Sequence, residues 1–70
     1  MQSVNEVAQQ LFSKLREKKE ITAEDIIAIY NVTPSVAYAI FTVLKVMCQQ
    51  HQGECQAIKR GRKTVIVSKQ

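Results

Sequence analysis

Past residue 35 the chain has almost no negative charge. Glu54 is the one acid in residues 36–70, set against six cations: Lys45, Lys59, Arg60, Arg62, Lys63 and Lys69. Chain breakers are equally scarce, with one proline and two glycines. There is no repeat, linker or low-complexity tract. Histidine occurs once, and neither a glycine-rich phosphate loop nor a pair of carboxylates in an apolar setting is present. That removes the usual equipment of catalysis, so no enzymatic activity, cofactor or small-molecule substrate is expected. The adjacent acids Glu24 and Asp25 fall where a helix begins, a position that the helix dipole favours for acids. Apolar runs are far too short to span a membrane. The start, MQSVNEVAQQ, has no cationic stretch leading into an apolar one, so neither a membrane partner nor a signal peptide is expected.

What is present is a single small domain. Seventy residues, 46% of them apolar, suffice for one folded unit; a chain of this size buries only about 60% of the surface its unfolded form exposes. The net charge is +4, and it is unevenly placed. Residues 1–35 hold four cations and five anions, a balance of −1; residues 36–70 hold six cations and one anion, a balance of +5. A basic half on a small domain is the electrostatic footprint of a polyanionic partner. The plainer alternative is a solvated basic surface.

Apolar spacing predicts a first helix over about residues 3–18, with Val4, Val7, Ala8, Leu11, Phe12 and Leu15 in one stripe. Ser3 followed by Glu6 has the form of a capping box. Ile21 is a short apolar bridge. Thr22 with Asp25 starts a second helix over Ala23 to Tyr30, and Asn31-Val32 makes a tight turn after it. Thr33 as N-cap and Pro34 at the first helical position open a third helix running to about Gln50. On a helical wheel, Val36, Ala37, Ile40, Val43, Leu44 and Met47 lie within about 60 degrees of one another's centre at Ile40. Ser35, Tyr38, Thr42, Lys45 and Gln49 occupy the opposite face, which carries one cation and no acid. Cys55 to Lys59 and Thr64 to Ser68 read as two strands joined by the turn Arg60-Gly61-Arg62-Lys63, with Gly61 supplying a positive φ. The expected core is Val4, Leu11, Phe12, Leu15, Ile26, Ile40, Leu44, Met47 and Val67.

The segments ITAEDIIAIYNVTPSVAYAIFTVLKVM and CQAIKRGRKTVIV, in this order, resemble a winged helix-turn-helix domain over nearly the whole chain. The likeness implies an α+β fold in one domain, residues 1–70, with the helix-turn-helix at 22–50 and a two-stranded hairpin wing at 55–68. Val32-Thr33 is similar to the apolar-hydroxyl pair that closes the turn in that family, and Ala37, Ile40 and Leu44 fit its inward positions. Asn31 stands where the family usually has glycine, a mild change because Asn also adopts the left-handed conformation. In brevity the chain is similar to the small DNA-binding proteins of archaeal viruses and plasmids.

The resemblance further implies a double-stranded DNA partner and a transcription-regulating role. The helix at 34–50 would enter the major groove, bringing Thr33, Ser35, Tyr38, Thr42 and Lys45 to base edges or phosphates. Lys59, Arg60, Arg62 and Lys63 on the wing would meet the flanking backbone or minor groove. A charged turn that protects a sheet edge is the structural alternative for those four cations. A homodimer is expected, with Val7, Phe41 and Val46 as candidate contact residues, and so is an intracellular location, cytoplasmic or nucleoid-associated. A different functional class, the winged helix as a protein-interaction module in a larger assembly, accounts for the same fold. Cys48, His51 and Cys55 lack the fourth ligand that a structural zinc site needs, so no metal is expected, and His51 is read as a surface residue. For Cys48 and Cys55, two buried thiols are the default, since cytosolic disulfides are uncommon outside hyperthermophiles; a disulfide from helix to wing is the alternative.

Overall fold

The computed structural model describes residues 3–51 and 53–69. Three helices, α1 (Val4–Lys18), α2 (Ala23–Tyr30) and α3 (Pro34–Gln50), combine with three strands, β1 (Glu20–Ile21), β2 (Cys55–Arg60) and β3 (Lys63–Ser68). The strands form one antiparallel sheet in the order β1-β3-β2. The architecture is a winged helix.

Local signals explain where the helices begin and end. Ser3 caps α1 by accepting the Glu6 N–H at 3.2 Å. Lys19 ends that helix at φ +72°, and its N–H reaches the Leu15 carbonyl at 2.8 Å. A reciprocal capping box opens α2: the Asp25 N–H donates to Thr22 Oγ1 at 3.2 Å, and the Thr22 N–H donates to Asp25 Oδ2 at 3.0 Å. Asn31 closes α2 in the left-handed conformation, φ 52° and ψ 50°, with its N–H on the Ile27 carbonyl. The two helices then diverge by 119°, the angle range of a helix-turn-helix corner. At the hairpin, Arg60 pairs with Lys63 across a two-residue loop, and Gly61 has φ +62°. A two-residue turn with glycine first needs that positive φ.

Three features differ from the sequence expectation. The wing sheet has three strands rather than two, because Glu20 and Ile21 pair with Val67 and Ile66 of β3. A two-residue strand has no alternation to detect, and its register comes from a partner more than forty residues away. In β3 the fully buried residue is Ile66, at 0% exposure, while Val67 is only half-buried. Ile66, not Val67, is the β3 residue that joins the core cluster, while Val65, on the same side of the strand as Val67, is buried as well at 4%. Finally, Val7 (6%) and Phe41 (4%) are core residues rather than exposed contact residues, while Val36 is 40% exposed. Val36 has the right angle on the wheel but lies in the first turn of α3, and a wheel says nothing of where along the axis the neighbours begin.

The core joins Leu11, Leu15, Ile21, Ile26, Ile40, Phe41, Leu44 and Ile66, all buried. Val4, Phe12 and Met47 pack at its rim, half-buried. α3 lies against α1, α2 and β2, so it is held on three sides and leaves its fourth side outward. No single helix among the described residues is long and apolar enough to cross a membrane.

Candidate nucleic-acid interface

The outward side of α3 is polar. Thr33, Ser35, Tyr38, Thr42 and Gln49 are exposed and Lys45 is half-buried. Tyr38 is 68% exposed. Its hydroxyl makes no hydrogen bond among the described residues, so it is free to donate and to accept. Thr42 differs: its Oγ1–H donates to the Tyr38 carbonyl at 2.8 Å. That bond uses its one proton, and outward Thr42 offers only acceptor lone pairs. Thr33 Oγ1 accepts the Val36 N–H at 3.4 Å and lies 3.4 Å from Ser35 Oγ. Thr33 is therefore occupied with starting the helix, and Ser35 is the freer hydroxyl of that turn.

A cleft of about 240 Å³ joins this helix face to the wing. Tyr38, Phe41, Thr42 and Lys45 form its α3 wall; Thr22, Ala23, Glu24 and Ile27 contribute from the start of α2; Arg62, Lys63 and Thr64 close it from the wing. The apolar floor of Ile27 and Phe41 is overlooked by the cations Lys45, Arg62 and Lys63. The helix face and the wing tip are thus one continuous concave surface, which brings the candidate residues of two distant sequence segments together.

The four wing cations are not equivalent. Arg60 pairs with Glu20, and Lys63 pairs with Glu24 at 2.6 Å. Lys59 and Arg62 make no ion pair among the described residues. In sequence the tip has no neighbouring acid; in space it has two. Glu20 is carried by β1, the strand that left no pattern in the sequence, and Glu24 by the first turn of α2. The missing signal was tertiary. Only recognition that β1 pairs with β3 would have brought the acids near the wing.

Residues 2–70 match the family model described as F-112 protein. The chain belongs to the F-112 family. A curated relative, Protein F-112 of Sulfolobus spindle-shape virus 1, is 36% identical over 58 residues, which cover 83% of this chain and 52% of the relative. The chain thus spans about half the length of the curated F-112 protein it matches. A solved structure described as a DNA binding winged-helix protein, F-112, from the same virus superposes with a TM-score of 0.91 at 30% identity, over 100% of both chains. The F-112 fold is thus the winged helix seen here.

In this F-112 family member the cysteines form a disulfide. Cys48 near the end of α3 and Cys55 at the start of β2 are bonded, with Cα atoms 5.2 Å apart, and both are buried. The bond ties α3 to the wing at the end of β2 away from the tip. Two buried thiols, the default reading of the sequence, are therefore not what the fold contains. His51 is exposed, and its ring lies 5.5 Å from that of Phe12 at a tilt of 56°. With both sulfurs bonded to each other, His51 has no thiolate with which to share a metal.

Proposed function

We propose that the chain binds double-stranded DNA in a sequence-dependent manner and regulates transcription. α3 enters the major groove and the wing follows the flanking backbone or minor groove. The observation that carries this reading is the continuous surface from the acid-free face of α3 to Arg62 and Lys63. A strand leaving the major groove beside α3 crosses the cleft, with its sugar over Ile27 and Phe41 and its phosphate against Lys45 and Arg62. Ser35, Tyr38 and Thr42 face base edges; Lys59 and Arg62 neutralise phosphates and release counterions. The solved F-112 relative, described as DNA binding, supports the assignment. The solved relative is described as DNA binding, and we read this chain likewise as a binding protein and not an enzyme. Such a partner places the protein's work inside the cell, on DNA. Two copies act together, with the exposed apolar side chains Ile29, Val36 and Val46 available between them.

The test is a titration against duplex DNA, single-stranded DNA and RNA at two salt concentrations. Preferential duplex binding that weakens steeply with salt is expected. Equal binding to all three would leave only a generic polyanion surface. No binding to any would favour the winged helix as a protein-interaction module.

A further inference from the structure

The wing carries four cations, yet the fold gives two of them a carboxylate of their own. We propose that Glu20 and Glu24 are specificity-determining residues: they occupy Arg60 and Lys63 on non-cognate DNA and yield them to phosphates only when α3 is seated in its cognate groove. This inference rests on the DNA-binding reading above.

The pairs are suited to exchange. All four side chains are at least 45% exposed, so no buried charge is created when a pair opens. Exposed ion pairs are weak, and a phosphate offers the same donors an equivalent anionic partner at a similar distance. What decides the exchange is therefore how closely a phosphate is presented. On a random duplex the domain rides on long-range attraction and the wing has no fixed height above the backbone. Charges further apart than about 10 Å are screened at ordinary ionic strength, and the carboxylates keep their partners. When α3 is fully docked, the cleft fixes the strand beside Lys63, and a phosphate reaches contact distance. Lys59 and Arg62, which have no such acid, contribute to every duplex alike.

The acids also discourage loose binding directly, because a phosphate near an opened pair meets a carboxylate of like charge. Non-specific affinity is held down more than cognate affinity, and the difference between the two widens. That is discrimination supplied by residues that need touch no base.

The experiment compares the unmodified chain with Glu20→Gln, Glu24→Gln, the double variant, and Glu54→Gln. Glu54 pairs with Arg16 at 3.3 Å, an acid of the same charge whose partner lies on α1 rather than on the wing. The probes are a random-sequence duplex of about 25 base pairs and the tightest duplex selected from that pool. For the random duplex, each wing acid removed is expected to raise affinity roughly two- to fivefold, the strength of an exposed ion pair. The double variant is expected to steepen its salt slope by up to about 1.8, at roughly 0.9 per additional phosphate contact. The selected duplex should gain less, so the ratio of the two affinities falls. A double variant that matches Glu54→Gln on both probes overturns the proposal while leaving DNA binding intact. A larger gain on the selected duplex also overturns it. If the unmodified chain binds no duplex, the DNA-binding reading fails and the proposal with it. A second measurement needs no acid variant. Arg60→Ala should leave the random-duplex salt slope unchanged and lower the selected-duplex slope, whereas Arg62→Ala should lower both; equal effects on both probes would overturn the exchange.

Discussion

Single side chains divide into those that hold α3 in place and those that α3 displays. Ile40 belongs to the first kind, at 1% exposure on the side facing the core. Truncation there removes apolar contact and leaves a hole that the three surrounding elements cannot close together. Ile40→Ala is expected to cost about 2–5 kcal/mol in a denaturant unfolding curve, and a curve matching the parent would contradict the assigned face. Tyr38 belongs to the second kind, and its unbonded hydroxyl makes it the best placed of the displayed groups to read a base edge. Tyr38→Phe keeps the ring and removes that hydroxyl. It is expected to reduce the preference for a selected duplex by about 1–3 kcal/mol while random-duplex affinity changes little. Thr42, whose proton is committed to the Tyr38 carbonyl, is expected to contribute only as an acceptor. Thr42→Val should therefore matter where the selected site presents an amino group and be nearly silent elsewhere. Competition binding of substituted duplexes distinguishes the two outcomes.

Elements differ in how far the chain announces them. The helices were legible because their signals are local: Thr22 and Asp25 satisfy each other's N–H groups within one turn, and Asn31 stops the helix by its own backbone preference. The hairpin was legible through Gly61 and the β-branched run after it. β1 was not, since two residues acquire strand geometry only from β3, and the nearness of Glu20 to the wing was hidden for the same reason. The α3–β2 link was open in the sequence because Cys48 and Cys55 pack equally well as thiols; spacing allows the bond but does not require it. With the bond formed, a loop of seven residues' separation is closed, a constraint on the unfolded chain of roughly 2.5 kcal/mol. Full reduction should lower the thermal midpoint by roughly 10–20 °C, taking about 4–8 °C per kcal/mol for a domain this small. A shift of only a degree or two would mean that the unfolded chain gains little from the constraint.

At the scale of the whole molecule, charge and size bear on the proposed docking to a duplex. The split of −1 and +5 between the halves suggested one basic side, but folding lays Glu20 and Glu24 of the acidic half against the basic wing. The surface is more mixed than the linear order, and under the DNA-binding reading proposed above that mixing tempers loose attraction to a duplex. Extents of 30 × 26 × 19 Å let one copy serve a single major-groove face. Two such faces on the same side of a duplex recur about 34–36 Å apart, one helical turn. Copies with a longest extent of about 30 Å fit beside one another at that spacing, and in the proposed dimer the exposed Ile29, Val36 and Val46 are the apolar side chains available to bridge them. Dimerisation on DNA thus requires no large apolar face on the free protein, consistent with the burial of Val7 and Phe41 inside each copy. Sedimentation of the saturated complex on a duplex carrying two selected half-sites one turn apart is expected to show two copies bound cooperatively. About five extra base pairs between the half-sites rotate one copy to the opposite side of the duplex, and cooperativity should then disappear while each half-site keeps its own affinity. One copy per duplex at saturation, or cooperativity indifferent to the half-turn insertion, would rule out the paired arrangement and leave a monomer reading a single groove.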